Sequence, residues 1–143
     1  MKLEECTVKP CTSINIFYDN QFVVDVTEQI RRVADGGFMH LDMNFWDWSH
    51  DPKSPFMQDD WRDWVKRIDA EAKRCGVQFT QAHAHVYNFY EENGDSVHER
   101  QILRSIEGAG MLGVPWIVLH PSAIFLRASS VSRISPNVLT SSL

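Results

Sequence analysis

The feature that most constrains the fold is a regular alternation of strand-like and helix-like segments. Short runs rich in β-branched and aromatic residues predict strands at residues 12–18, 38–44, 77–85 and 115–120. Between these runs the apolar residues recur at three- and four-residue spacing, which predicts an amphipathic helix after each of the first three strands. Such a βα repeat indicates an α/β fold with a parallel sheet and right-handed crossovers.

The predicted helices have recognisable limits. The first has an apolar face over residues 23–33, the second runs over 61–75 and ends at Gly76, and the third begins with a capping box at Ser96. Residues 45–59 are rich in Pro, Asp and Ser and predict a loop. An open flavodoxin-like sheet and a (β/α)8 barrel both fit this order. No G-x-G-x-x-G motif follows the first strand, which argues against a dinucleotide-binding fold.

Composition and charge exclude several classes of protein. The chain has 143 residues, a length typical of one domain, and no apolar run of the roughly 18 residues that a membrane span needs. Its net charge of −5 and the lack of a basic block argue against nucleic acid binding. Cys6, Cys11 and Cys75 show no C-x-x-C spacing, and an acidic pair occupies the place of a signal peptide's basic region. These features predict a cytoplasmic protein without a membrane partner.

Polar residues mark the ends of the predicted strands, where the βα loops of a parallel sheet open. Asp42, His83 and His120 stand at the ends of the second, third and fourth strands and are the candidate catalytic residues. His83 and His120 suit metal ligation as neutral imidazoles, or hydrogen bonding to a substrate oxygen. Asp42 could complete a cation site or orient an imidazole. The alternative is that each histidine is a structural residue satisfied at a strand end.

Residues near these strand ends are candidates for substrate binding. His85 shares strand parity with His83, so the two side chains are expected on one face. Trp46, like Trp48, is either an apolar wall for a sugar ring or part of the packing under the loop. Among the other histidines, His40 is expected to be packed, while His50 and His98 are expected to be solvated. Trp61 and Trp64 lie on a helical apolar stripe and are expected in the core.

Three segments resemble the sugar phosphate isomerase/epimerase superfamily of xylose isomerase-like TIM barrels: residues 37–45 (GFMHLDMNF), 79–84 (FTQAHA) and 106–121 (IEGAGMLGVPWIVLHP). The superfamily includes the endonuclease IV type of apurinic endonuclease. The resemblance covers about residues 12–121 and implies about four βα units of a partial (β/α)8 TIM barrel. A complete barrel takes about 250 residues. The chain is therefore expected to comprise the N-terminal half of a barrel, residues 1–121, and an irregular Ser-rich tail, residues 122–143.

The resemblance implies metal-assisted proton transfer on a small sugar, sugar phosphate or keto-sugar, with Mn, Mg or Zn as the divalent metal. In the isomerases the metal ligands come mainly from later strands, so this chain is expected to be a truncated form that is inactive alone. In the endonuclease branch His83 and His120 match zinc ligands. Asp42 stands where many relatives have Glu, and His85 replaces a common proline.

Other functions remain open on the sequence. One alternative is a zinc phosphodiesterase acting on abasic DNA, which the net charge disfavours. Another is a non-catalytic half-barrel that binds a partner. An incomplete barrel is expected to expose an unpaired strand edge, through which the chain could self-associate.

Overall fold

The computed structural model describes residues 9–15, 24–87 and 96–120. Within these ranges four strands form one sheet in the order β1-β2-β3-β4, and every neighbouring pair is parallel. The strands are β1 (Cys11–Ser13), β2 (His40–Asn44), β3 (Gln78–His83) and β4 (Ile117–Val118). This confirms the predicted α/β class with a parallel sheet. The partial (β/α)8 TIM barrel stays a prediction.

Helices connect the strands. They are α1 (Val26–Asp35), α2 (Phe45–Trp48), α3 (Trp61–Cys75) and α4 (Ser96–Met111). A left-handed glycine, Gly76 with φ of 70°, ends α3 as the sequence predicts. None of the helices in the described ranges is long and apolar enough to cross a membrane.

The predicted loop at residues 45–59 is wrong in part, because it contains α2 and a 3₁₀ turn at Pro55–Met57. Proline suits the first turn of a helix, where its missing N–H is not needed, and the Ser54 side chain caps this turn by accepting a bond from the Phe56 N–H at 3.2 Å. The strands are also shorter than predicted. Residues 16–18 of the first one and the tail at residues 122–143 lie outside the described residues.

The apolar core lies on the face of the sheet that α1 and α3 cover. Leu41 and Met43 of β2 are fully buried in it, together with Ile30 of α1 and Ile68 of α3. Trp61 and Trp64 are buried in the same core, which confirms their prediction. Successive strand residues point to opposite faces. The alternate residues of β2 therefore share the other face, which is polar and half-buried: His40, Asp42 and Asn44.

A bulge in β3 sets which of its residues share this polar face. Leu41 pairs with Phe79 but Asp42 pairs with Gln81, so Thr80 is an extra residue in β3. Beyond the bulge, Asn44 pairs with His83. Gln81 and His83 are thereby brought alongside Asp42 and Asn44.

Candidate functional site

The three candidate catalytic residues form one connected chain across adjacent strand ends. Asp42 Oδ2 lies 3.3 Å from His83 Nε2, and His83 Nδ1 lies 3.1 Å from His120 Nε2. The two imidazole rings stack with 5.3 Å between centroids and an interplanar angle of 17°. The structure thus brings together Asp42, His83 and His120 as the sequence predicts. A proton on His83 Nε2 would face Asp42 and leave the Nδ1 lone pair toward His120, whereas a proton on Nδ1 would be donated to His120.

Gln81 is an additional member of this group. Its side-chain Nε2 lies 3.1 Å from His83 Nε2, on the same side of the ring as Asp42. Sequence parity placed Gln81 on this face but gave it no role. Because an amide nitrogen donates, this contact favours a lone pair on His83 Nε2. The bulge at Thr80 sets Gln81 opposite Asp42, a pairing that a pattern of alternating residues does not reveal.

Asp42 is a half-buried carboxylate whose charge is only partly solvated. Its burial raises the pKa, the nearby His83 opposes that rise, and the Asp47 carboxylate adds to it. Within the described residues, Asp42 Oδ1, Asn44 Oδ1 and His40 Nδ1 are buried without a hydrogen-bond partner. A buried polar atom left unpaired costs about 1–3 kcal/mol, so such atoms in folded proteins are usually met by protein, water or a ligand. This face therefore has buried polar atoms available to water or to a ligand.

Asp47 is a buried acidic residue that the sequence reasoning did not single out. Its Oδ2 accepts hydrogen bonds from the side-chain amides of Asn15 and, at 2.9 Å, Asn44. Burial raises the Asp47 pKa, and the Asn15 bond partly opposes this. Asp47 therefore ties the end of β2 to the segment after β1. Its place between two tryptophans directly after a strand was the available signal.

His85 lies in a second polar group. It is only 4% exposed, its Nδ1 is 2.6 Å from Ser49 Oγ, and its Nε2 is 2.7 Å from His98 Nδ1. Burial, with further contributions from His98 and His50, lowers the His85 pKa to about 4. Because both ring nitrogens are engaged, a direct contact with substrate would require one of these two bonds to break.

His98 was expected to be solvated, and this expectation is wrong. It is half-buried, bonded to His85, and stacked on Tyr87 with 4.5 Å between ring centroids. The reason is that His85 and Tyr87, which follow β3, contact His98 in the first turn of α4. His50 is exposed as expected, although its ring packs edge to face with Trp46, with 4.1 Å between ring centroids.

The two tryptophans after β2 have different environments. Trp48 is buried and packs on Trp64 with 5.1 Å between ring centroids, which fits the interpretation as packing under the loop. Trp46 is half-buried beside His50. It is the one of the two with surface available to a ligand, and its role in substrate binding stays a prediction.

The His83–His120 contact is an N–H···N hydrogen bond whose length is also near the spacing of two imidazole ligands on one metal ion. Two imidazole nitrogens on one tetrahedral zinc, each at about 2.0–2.1 Å, are roughly 3.3 Å apart. The observed separation of 3.1 Å between His83 Nδ1 and His120 Nε2 is close to this value. Within the described ranges no group of three or more His, Cys, Asp or Glu side chains is arranged to hold a metal. Asp42 contacts the opposite nitrogen of His83, so it is placed to orient this ring.

Comparison with known proteins adds no assignment to this geometry: a scan against protein-family models and a search of curated proteins both gave no match.

Proposed function

We propose that this chain binds a small sugar, sugar phosphate or keto-sugar at the carboxyl edge of its sheet and supports metal-assisted isomerisation or epimerisation at a low rate, rather than with the complete inactivity that the resemblance implies. The observation that carries the proposal is the chain of contacts from Asp42 through His83 to His120. These residues come from three adjacent parallel strands, at the edge where such sheets bind their ligands. A TIM-barrel fold, of which the described strands would be the first four, is part of this proposal.

The two imidazoles are assigned to a divalent cation. With a cation bound, His83 would carry its proton on Nε2, toward Asp42, and Nδ1 of His83 and Nε2 of His120 would both ligate in place of the hydrogen bond that joins them. Imidazole donors favour zinc over magnesium, and manganese is bound more weakly than zinc by the same donors. When bound, the cation polarises a carbonyl or hydroxyl oxygen of the sugar. With two protein ligands, coordination positions are left open for sugar oxygens or water.

The polar face of β2 is assigned to the sugar. Asp42 Oδ1 and Asn44 Oδ1 are buried acceptors without a partner among the described residues, and they suit sugar hydroxyls as donors. Trp46 offers an aromatic surface beside this face, on which the apolar side of a sugar ring can pack.

The reaction requires no oxidant or reductant. A base takes a proton from the carbon next to the sugar carbonyl, the electron pair of that C–H bond forms a C=C bond, and the C=O π pair moves to the carbonyl oxygen, which takes a proton to give an enediol. Return of a proton to the neighbouring carbon completes isomerisation, and its return to the same carbon from the opposite face completes epimerisation. In heavy water, both routes place deuterium on carbon.

The test is deuterium incorporation into D-fructose and D-xylulose in heavy water, with the chain loaded with one equivalent of zinc or manganese. We expect loss of the proton NMR signal next to the carbonyl, at a rate that Asp42→Asn lowers by about 10–100-fold, because the orientation of a ligand histidine is lost. The matched control is Gln78→Ala, at the exposed opposite end of β3. No incorporation above the metal-only rate into either ketose would contradict the proposal.

A second candidate, a non-catalytic half-barrel that pairs with a second copy of itself, is favoured by one surface. β4 is an edge strand of the described sheet, and Trp116 and Leu119 beside it are 74% and 47% exposed. Leu103 and Ile106 of α4 are exposed as well. We expect sedimentation equilibrium to show a dimer, and Trp116→Lys to shift it toward monomer by at least tenfold in dissociation constant. A wild-type chain that stays monomeric at high micromolar concentration would contradict self-association.

A further inference from the structure

A second hydrogen-bonded chain, Ser49–His85–His98, lies beside the first one. Ser49 directly follows α2, His85 lies two residues beyond β3, and His98 lies in the first turn of α4. All three therefore belong to the connections that follow β2 and β3, on the same edge of the sheet as His83. None of them has a role in the metal-centred chemistry proposed above.

The contacts of Ser49 determine which atom is the donor in each of these hydrogen bonds. Ser49 Oγ lies 2.8 Å from the Trp46 carbonyl oxygen and 2.6 Å from His85 Nδ1, and the hydroxyl has one proton. If Ser49 donates to the carbonyl, His85 Nδ1–H donates to Ser49 and His98 Nδ1–H donates to His85 Nε2, so three hydrogen bonds form. If Ser49 donated to His85 instead, two bonds would form and two oxygen lone pairs would face each other at 2.8 Å. The first arrangement is the more stable one.

These donor and acceptor assignments fix which ring nitrogen of His98 carries the proton. With its proton on Nδ1, its Nε2 carries a lone pair on the opposite side of the ring, and this nitrogen has no hydrogen-bond partner among the described residues. The ring is held by stacking on Tyr87 as well as by His85. We infer that His98 is the proton acceptor of this site: a neutral imidazole whose Nε2 takes a proton or a hydrogen bond from a hydroxyl-bearing sugar, with Ser49 and His85 as its positioning residues.

The sugar contact rests on the proposed function, which assigns His83 and His120 to the metal and leaves the base unassigned. A neutral imidazole oriented by a second group is a common base for removing a proton at pH 7. The surroundings fit a sugar, since Tyr87 stacks on His98 and Trp46 adjoins the group through His50. The ordered state of His98, in contrast, does not depend on any ligand.

The position of the His98 proton is tested by nitrogen-15 NMR of the imidazole groups in the full chain. We expect neutral His98 in wild type to carry its proton on Nδ1. Ser49→Ala removes the acceptor for His85 Nδ1–H. We therefore expect His85 to carry its proton on Nε2 and donate it to His98 Nδ1, which moves the His98 proton to Nε2. His85→Gln keeps an acceptor near His98 and is expected to retain the wild-type state. An Nε2–H tautomer of His98 in the wild-type protein overturns the inference.

The sugar contact is tested by deuterium incorporation into D-fructose and D-xylulose. We expect His98→Gln to lower kcat by at least about 100-fold, with KM and zinc affinity changed by less than about threefold, because general-base catalysis contributes about 10²–10⁴-fold. An unchanged kcat in His98→Gln overturns the assignment as base. If wild type incorporates no deuterium, the proposed function fails. The His98 tautomer still decides whether Ser49, His85 and His98 donate their hydrogen bonds in the inferred order.

Discussion

Replacing His83 with alanine is expected to weaken zinc binding by at least about 100-fold. The change removes one of two imidazole ligands, whereas loss of a partner that only orients a ligand costs about 10–100-fold. His120→Ala is expected to have an effect of the same size, because its Nε2 lies 3.1 Å from His83 Nδ1 and would share the metal. Asp42→Asn is expected to weaken zinc less than either. Competition with a chromophoric chelator measures all three affinities.

The control for this series is Gln78→Ala, which leaves the polar edge untouched and is expected to bind zinc like wild type. The chain has six histidines, so weak zinc binding elsewhere is expected to survive in every variant. The comparison therefore concerns the tightest site. Wild-type affinity in both His83→Ala and His120→Ala would contradict the assignment of these residues as ligands.

Replacing Gly108 with alanine is expected to destabilise the fold, although alanine is the better helix former. A Cβ at Gly108 would lie 2.8 Å from Phe45 Cζ and 3.0 Å from Cε1. Phe45 is fully buried and packs on Phe56 with 5.2 Å between ring centroids, so its ring has little room to move. Overpacking of this kind costs about 1–3 kcal/mol, against a gain of about 1 kcal/mol in helix propensity. We expect a net loss of up to about 2 kcal/mol in the free energy of urea unfolding.

Gly110 provides the matched control in the same helix. Nothing lies within 4 Å of a Cβ built there, and the residue is exposed. Gly110→Ala is therefore expected to stabilise the fold by up to about 1 kcal/mol through helix propensity alone. Equal shifts in both variants, in either direction, would show that α4 does not pack on Phe45 through Gly108.

The order of the elements could be predicted from the sequence because hydrophobic spacing is a local signal. The stripe on α3, its stop at Gly76 and the alternation along β2 all depend on residues close together in the chain. The grouping of Asp42, His83 and His120 followed from one general property of parallel sheets, that strand ends share an edge. The sequence predicted these features well for that reason.

Other features depend on contacts between distant segments and were not predicted. The bulge at Thr80 depends on how β3 pairs with β2, and it sets Gln81 opposite Asp42. His98 was predicted to be solvated because its place in a helix could be read from the sequence, whereas its contacts with His85 and Tyr87 could not. The partner of His85 is 13 residues away and that of Asp47, Asn15, is 32 residues away. No periodicity within a helix or strand encodes such pairs.

The most direct test of the central claim is zinc K-edge X-ray absorption on the chain loaded with one equivalent of zinc. If His83 and His120 hold the metal together, the spectrum of wild type is expected to show two imidazole ligands at about 2.0–2.1 Å, with oxygen atoms completing the shell. The His83→Ala spectrum is expected to lose one imidazole. A wild-type spectrum without imidazole scattering, or one that His83→Ala leaves unchanged, would contradict a metal-binding site at this edge of the sheet.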